Sequence, residues 1–380
     1  MPDKYLYLDN AAAAAPEQAV IDFFAAAAMS CYANQEAIHR QAYAVRQQLE
    51  AAEKDLAVAL TGDAAAQVIW GGSGTDLFNL LSFAPMLHKG NIVTTLEHPA
   101  LQAALKRTGT ELRVVPLING KADLDELGRM ADRGTVLVAI HHVQSETGII
   151  QDLTGIRKVI SGCAPQSLFF SDTIQSAGKL PVPWKDAGLD IISVSGHKLG
   201  TPGGAALILR TGKDSTRKNL VEFFERSRSR EYLAGRPDPA VMLTLAHAVK
   251  TCAAESAQVL STVRTMNLNL REALADIELA GKRKIRFTSP PEDASPFILH
   301  MTLPGCEGAV LVRMLSEQDI TVSSGSACSA ESNLPSPALT AMNYNKKDAF
   351  SALRISFWRN NSSDDICRFA DILKAVIKDY

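Results

Sequence analysis

Several side chains in this sequence sit in settings that change their chemistry. Lys198 lies in Ser193-Val-Ser-Gly-His-Lys-Leu-Gly-Thr-Pro-Gly-Gly204, a glycine-rich turn between two apolar runs. In open α/β folds the carboxyl ends of strands are where ligands bind. A partly desolvated lysine amine there is neutral and nucleophilic, as Schiff-base chemistry requires. Ser195 and His197 flank it and offer contacts to a phosphate. Gly71-Gly-Ser-Gly-Thr75 joins an apolar run to a helical stretch, so the Gly74 N–H and the Thr75 hydroxyl stand at a helix start that favours an anion. Asp172 closes an apolar run in Ser171-Asp-Thr-Ile-Gln-Ser-Ala-Gly-Lys179. A carboxylate there can keep a pyridine nitrogen protonated, which turns the ring into an electron sink, with Gln175 as donor to a ring oxygen. His98, in Thr95-Leu-Glu-His-Pro-Ala100, follows another strand and suits ring stacking and proton transfer. Cys328 lies in Val322-Ser-Ser-Gly-Ser-Ala-Cys-Ser-Ala330, a loop of small residues that can leave a thiol exposed.

Each has a plainer reading. Lys198 also reads as a surface lysine in a turn, Asp172 as a helix N-cap, His98 as a structural histidine and Cys328 as a buried cysteine. Ser195-x-x-Lys198 also matches an acyl-enzyme serine motif, but the two further motifs that chemistry needs are absent from the sequence.

The elements that must hold these residues follow from periodicity. Strands are expected at Gln67–Trp70, Asn91–Thr95, Leu112–Pro116, Thr135–Ile140, Ser167–Ser171, Asp190–Val194 and Ala205–Leu209. Helical stretches such as Asp76–Leu87, Pro99–Lys106 and Leu153–Ser161 fall between them. Near-continuous apolar strands alternating with helices predict an α/β fold, a mostly parallel sheet covered on both faces. Glu17–Met29 and Gln35–Leu60 read as helices before this block, and Pro237–Ala280 as one or two long helices after it. Strands at Ile285–Thr288, Phe297–Leu303 and Leu353–Phe357, with a helix at Glu307–Gln318, predict a smaller α+β C-terminal domain. The division expected is residues 16–245 for the large domain and 1–15 with 246–380 for the small one. The run Ala11–Ala15 is expected to fit a tight backbone site.

Bulk properties narrow the partners. A chain of 380 residues with 46% hydrophobic content can bury a large core. A formal charge of −2 argues against nucleic acid or an anionic membrane surface as partner. No apolar run is long enough to span a membrane and the start does not read as a signal peptide, so the cytoplasm is the expected compartment. Cys31, Cys163, Cys252, Cys306, Cys328 and Cys367 form no Cys-x-x-Cys pair, and no metal site is read.

Taken in order from Tyr7-Leu-Asp-Asn-Ala11 to Arg354-Ile-Ser-Phe357, these segments resemble the class V aminotransferase-like family of fold-type I pyridoxal-phosphate (PLP) enzymes. Within it they resemble the cysteine desulfurases with a serine-rich cysteine loop. The most specific pieces are Ser195-Gly-His-Lys198, Gln175-Ser-Ala-Gly-Lys-Leu-Pro181 and Ser323-Ser-Gly-Ser-Ala-Cys328. The resemblance implies a fold-type I PLP-dependent transferase with a seven-stranded sheet flanked by helices, working as a homodimer. It implies Lys198 as Schiff-base lysine and proton carrier, Asp172 as partner of the pyridine nitrogen, Gln175 as ring-oxygen donor and His98 as stacking imidazole. Gly74, Thr75, Ser195 and His197 match the phosphate cup, and Cys328 the nucleophile that becomes a persulfide. Arg354, 26 residues after Cys328, matches the arginine that grips the substrate carboxylate, for which a guanidinium is suited. Asn10 is carried over as a substrate contact, and Asn34 and His39 fall where the family keeps an Asn and a His near the site.

Three departures stand out. Ser145, in His142-Val-Gln-Ser-Glu-Thr-Gly148, replaces an asparagine that contacts substrate or ring. Glu225-Arg-Ser-Arg-Ser-Arg230 replaces a glycine-rich stretch, and Arg236 replaces a threonine at a phosphate contact. Ala11–Ala15 replaces a threonine-containing start. The function implied is release of sulfur from L-cysteine to give L-alanine and a persulfide, with a sulfur-acceptor protein as further partner. The alternative is a class V aminotransferase or related PLP lyase that acts on another amino acid without the thiol. A non-catalytic scaffold would give no reason to keep Lys198, Asp172, Gln175 and His98 together.

Overall fold

The computed structural model describes residues 5–212, 214–227, 238–279, 282–325 and 335–380. The chain enters on a short strand, β1 (Leu6–Tyr7), and two helices, α1 (Gln18–Ser30) and α2 (Arg40–Thr61). Seven strands follow: β2 (Gln67–Gly71), β3 (Asn91–Thr94), β4 (Glu111–Val114), β5 (Thr135–Ala139), β6 (Leu168–Ser171), β7 (Ile191–Ser195) and β8 (Ala205–Leu209). They form one sheet in the order β2-β8-β7-β6-β5-β3-β4. β8 is antiparallel to both neighbours, and the remaining pairs are parallel, so six strands share one direction. The sheet and its flanking helices are those the sequence predicts.

The physical cause is visible in the strands. Alternate side chains enter two separate apolar cores, Val68 and Ile192 on one face, Ile69 and Ile191 on the other. A strand buried on both faces reads as a continuous apolar run. One face is covered by α3 (Gly74–Ser82) and α4 (Pro99–Arg107), the other by α2, α5 (Leu153–Cys163) and the long α6 (Pro239–Ala275). α6 is a single helix of 37 residues, started by Pro239 in the first turn and by Asp238, whose carboxylate accepts from Ala240 N at 2.8 Å. The expected division at residue 245 falls inside it.

Among the element boundaries that differ from the sequence reading, two have a visible cause. α2 begins at Arg40 rather than near Gln35 because His39 caps it, its Nδ1 accepting from Ala42 N at 3.2 Å. The helix expected over Asp76–Leu87 ends at Ser82, and a short 3-10 turn, Pro85–His88, follows. Pro85 lacks the N–H that a continuing helix would need.

The C-terminal part carries an antiparallel sheet of β9 (Arg286–Phe287), β10 (Ile298–Thr302) and β12 (Ala352–Ser356), closed by the helix α7 (Ser363–Asp379). β1 does not stay with the elements next to it in sequence. It pairs in parallel with β11 (Ile320–Thr321), and Asp9 then bridges to Ser356. This carries Ala11–Ala15 across to the large sheet, where Ala14 N donates to His197 O at 2.8 Å. Ala11 and Ala14 are buried there. Among the described residues no helix is long and apolar enough to cross a membrane.

Candidate active site

A cavity of about 390 Å³ opens at the carboxyl ends of β2, β3, β5, β6 and β7. The strand directions make this convergence: five loops that leave the same sheet edge deliver their first residues to one place. Gly74 and Thr75 arrive from β2, His98 from β3, Ser145 from β5, Asp172 and Gln175 from β6, and Ser195, His197 and Lys198 from β7. Arg354 comes from β12 in the C-terminal part and completes the wall.

Asp172 is 8% exposed. Its Oδ1 accepts from Ser193 Oγ at 2.7 Å and from Ile174 N at 3.0 Å. Burial pushes its pKa up despite those two donors. Gln175 donates through Nε2 to Ala11 O at 2.9 Å, while its Oε1 is buried without a hydrogen-bond partner. Lys198 Nζ donates to Ala12 O at 2.5 Å. Ser195 Oγ and His197 Nδ1 are 2.8 Å apart. Burial and the nearby Lys198 ammonium hold His197 down to about 4, so it is a neutral imidazole at physiological pH. Gly196 between them has no room for a side chain: a Cβ would lie 2.0 Å from Thr201 Oγ1 and 2.2 Å from Gly203 O. His98 Nδ1 accepts from Ala100 N at 3.2 Å, and burial lowers its pKa against the pull of Asp172.

Other predicted residues are placed elsewhere. Asn10 is not among the lining residues. It is buried, its Nδ2 donating to Ser356 O at 3.0 Å and its Oδ1 accepting from Ala15 N at 3.3 Å, which braces the alanine run from behind. His39 is the exposed cap of α2, and Asn34 Oδ1 accepts from Glu36 N at 3.1 Å; neither lines the cavity. Cys328 and Arg236 lie outside the described residues.

Three ionisable lining residues, Glu97, His141 and Glu146, have no counterpart in the sequence reading. Glu97, with its side chain fully buried, accepts through Oε1 from Thr95 Oγ1 at 2.7 Å, His141 N at 3.0 Å and His141 Nδ1 at 2.9 Å. This ties the loop that carries His98 to the end of β5. Glu146 lies 3.6 Å from His300 Nε2. Burial works to raise its pKa, but His300, Ser336 and Arg354 hold it below the usual carboxylate value. The lone signal in sequence was that Glu97, His141 and Glu146 all follow strands.

Lys179 is a fourth surprise, 3% exposed, with Nζ 5.0 Å from the Trp358 ring centre and 5.9 Å from that of Phe297. Burial, then Lys198, lowers its pKa to about 7. Between that value and the ordinary 10.5 the unfolded chain holds a proton that the folded chain does not, so this residue makes stability rise with pH across the window. Lys179→Met is expected to raise Tm at pH 7 by about 2–4 °C. Its advantage over the parent should shrink towards pH 10. A Tm difference that stays constant across that window would show that Lys179 does not titrate there.

A cavity at the strand ends with a lysine, a buried carboxylate and an imidazole on separate loops is the arrangement expected of a fold-type I PLP enzyme. The chain belongs to the aminotransferase class-V family, whose model matches residues 6–369. A cysteine desulfurase of Gluconacetobacter diazotrophicus is 26% identical over 382 residues, 98% of this chain and 93% of that protein. The cysteine desulfurase IscS of Mannheimia succiniciproducens is 29% identical over 332 residues, 84% of this chain and 79% of that protein. The X-ray structure of a NifS-like protein from Rickettsia africae superposes with a TM-score of 0.82 at 22% identity, covering 99% of this chain and all of that one.

The family is PLP-dependent, and the residues present fit the cofactor. A buried carboxylate with a raised pKa lacks a cationic partner, which a protonated ring nitrogen would supply. Gln175 keeps a second amide hydrogen for a ring oxygen, and the α3 N-terminus with Ser195 and His197 offers neutral donors to a phosphate.

Proposed function

We propose that the protein is a cysteine desulfurase that takes sulfur from L-cysteine, releases L-alanine and leaves a persulfide on Cys328. The observation that carries this reading is what shares one cavity: the candidate ring-binding residues line it with Arg354, whose main chain is bonded to Ser323 before Cys328, and Pro337 and Ala338, after Cys328, line it too. Arg354 and Ser323 are bonded in both directions, Arg354 N to Ser323 O at 2.7 Å and Ser323 N to Arg354 O at 3.1 Å. Beyond residue 334, Pro337 and Ala338 line the same cavity. The two desulfurases named above, which align over most of this chain, support the reading.

Bound PLP supplies an electron sink for the α-carbon. The protein's own residues do the rest. Gly74, Thr75, Ser195 and His197 would hold the phosphate, with Arg236 as a further donor. His98 would face the ring and Gln175 would donate to its oxygen. Asp172 would keep a proton on the ring nitrogen. Arg354 fixes the substrate carboxylate beside Ser145, and Asn10 braces the neighbouring chain. Lys198 Nζ would hold the cofactor and would then take and return the α-proton. The Cys328 thiolate attacks the substrate sulfur: an S–S bond forms, the Cβ–S bond breaks, and the electron pair stays with the carbon skeleton, which is protonated to alanine.

The exposed apolar residues Met29, Tyr32, Ile38 and Tyr43, within fifteen positions of one another, support a homodimer as the working form. The persulfide sulfur then passes to an acceptor protein in the cytoplasm. The test is an assay of the purified, PLP-loaded protein with L-cysteine and a thiol reductant. Alanine and sulfide should appear in equal amounts. A keto acid without sulfide would replace the desulfurase with the aminotransferase reading, and a protein that PLP cannot colour would end both.

A further inference from the structure

Arg354 is 2% exposed, yet its guanidinium has to present hydrogen-bond donors to the cavity. Its main chain is fixed on both sides, in register with His300 on β10 and bonded to Ser323. The side chain is fixed as well. Nη2 donates to Asp9 Oδ1 at 2.7 Å and Nη1 to Ser145 O at 3.0 Å, while Nε is buried without a hydrogen-bond partner. A guanidinium has five N–H bonds, two on each terminal nitrogen. Asp9 and Ser145 therefore leave one N–H on each terminal nitrogen, the pair that a carboxylate accepts in bidentate fashion.

We propose that Asp9 is the positioning residue for substrate recognition: it locks the Arg354 guanidinium before substrate arrives, and so sets the preference for a free α-carboxylate. This rests on the reading of Arg354 as the carboxylate grip. An arginine left loose loses side-chain freedom at the moment of binding, and holding it beforehand removes that cost. Asp9 does this from just past β1, 345 residues away in sequence, because β1 has crossed over to β11. The carboxylate has two separable properties. Its oxygen anchors Nη2, and its charge opposes a second carboxylate at the same guanidinium.

Substitutions separate the two. Asp9→Ala loses the anchor and should raise KM for L-cysteine, and the dissociation constant of unreactive L-alanine read from the visible band, about tenfold, with kcat within about threefold. Asp9→Asn keeps an oxygen and should stay within about threefold of the parent on both constants. Where Asp9→Ala does not fold, Asp9→Glu displaces the carboxylate by one methylene and must raise KM in the same way. The control is Arg354→Ala with L-cysteine and its methyl ester. Should that variant keep the parent's preference for the free acid, the grip itself is elsewhere. Should it lose the preference while Asp9→Ala and Asp9→Glu leave both constants unmoved, the grip stands and the role given to Asp9 is wrong. Equal losses with acid and ester in Asp9→Ala would also overturn it, because a positioning role at the carboxylate cannot touch the ester.

Discussion

Lys198→Ala protein should purify without the yellow colour of the parent, lose added PLP on dialysis and fall in rate by at least about 10³-fold. On the proposed assignment two roles end together: the covalent hold on the cofactor and the base that moves the α-proton. The cup that remains, from Gly74 to His197, is made of neutral donors and cannot replace a covalent bond. A mapping experiment gives the same prediction a residue number. Borohydride treatment of the parent should fix the cofactor to one lysine, and peptide mass analysis should find it on Lys198. Lys179 is the informative competitor, since its lowered pKa also makes it a nucleophile, but it faces Trp358 and Phe297 and is not among the cavity residues. Label on Lys179 would reverse the assignment.

Cys328→Ala should keep the colour and the binding of L-cysteine while sulfide release drops to the background of free PLP. Among the described residues that line the cavity there is no cysteine to accept sulfur in its place. Cys328→Ser should be equally inactive, because a hydroxyl lacks both the low pKa and the polarisability of a thiol. Retained sulfide release in either variant would move the chemistry to another thiol or to direct elimination, and so to a lyase.

Much of this was legible in the sequence for a definite reason. Ile191–Ser195 and Ala205–Leu209 are buried on both faces, and such strands write themselves as apolar runs. Lys198, Asp172 and His98 each follow such a run, so their convergence on one cavity could be read from the strands. The rest depends on distance along the chain. Asp9 looks like one residue of a short N-terminal segment; only the pairing of β1 with β11 gives it Arg354. Glu97 stands beside His98 in sequence, yet its partner His141 is 44 residues away. Asn10 carried over by pattern as a substrate contact, whereas in space its amide is held by Ser356 and Ala15. The late start of α2 had a local cause, a histidine acting as cap, and His39 is a less usual choice there than Ser, Thr, Asp or Asn.

The crossing of β1 also bears on how the molecule is made. Leu6 finds its partner at Ile320, and Asn10 finds Ser356, 346 residues later. The carbonyls of Ala11 and Ala12 that meet Gln175 and Lys198 are held in place by that late pairing, Ala11 N donating to Ser356 Oγ at 2.8 Å. On the ribosome the large sheet can form while the end of the chain is still unmade. Its ligand site cannot close, because one wall waits for the final strand to emerge. Cofactor loading is thus expected to wait for β12, and a nascent chain stalled before Ala352 should fold most of its core yet capture no PLP.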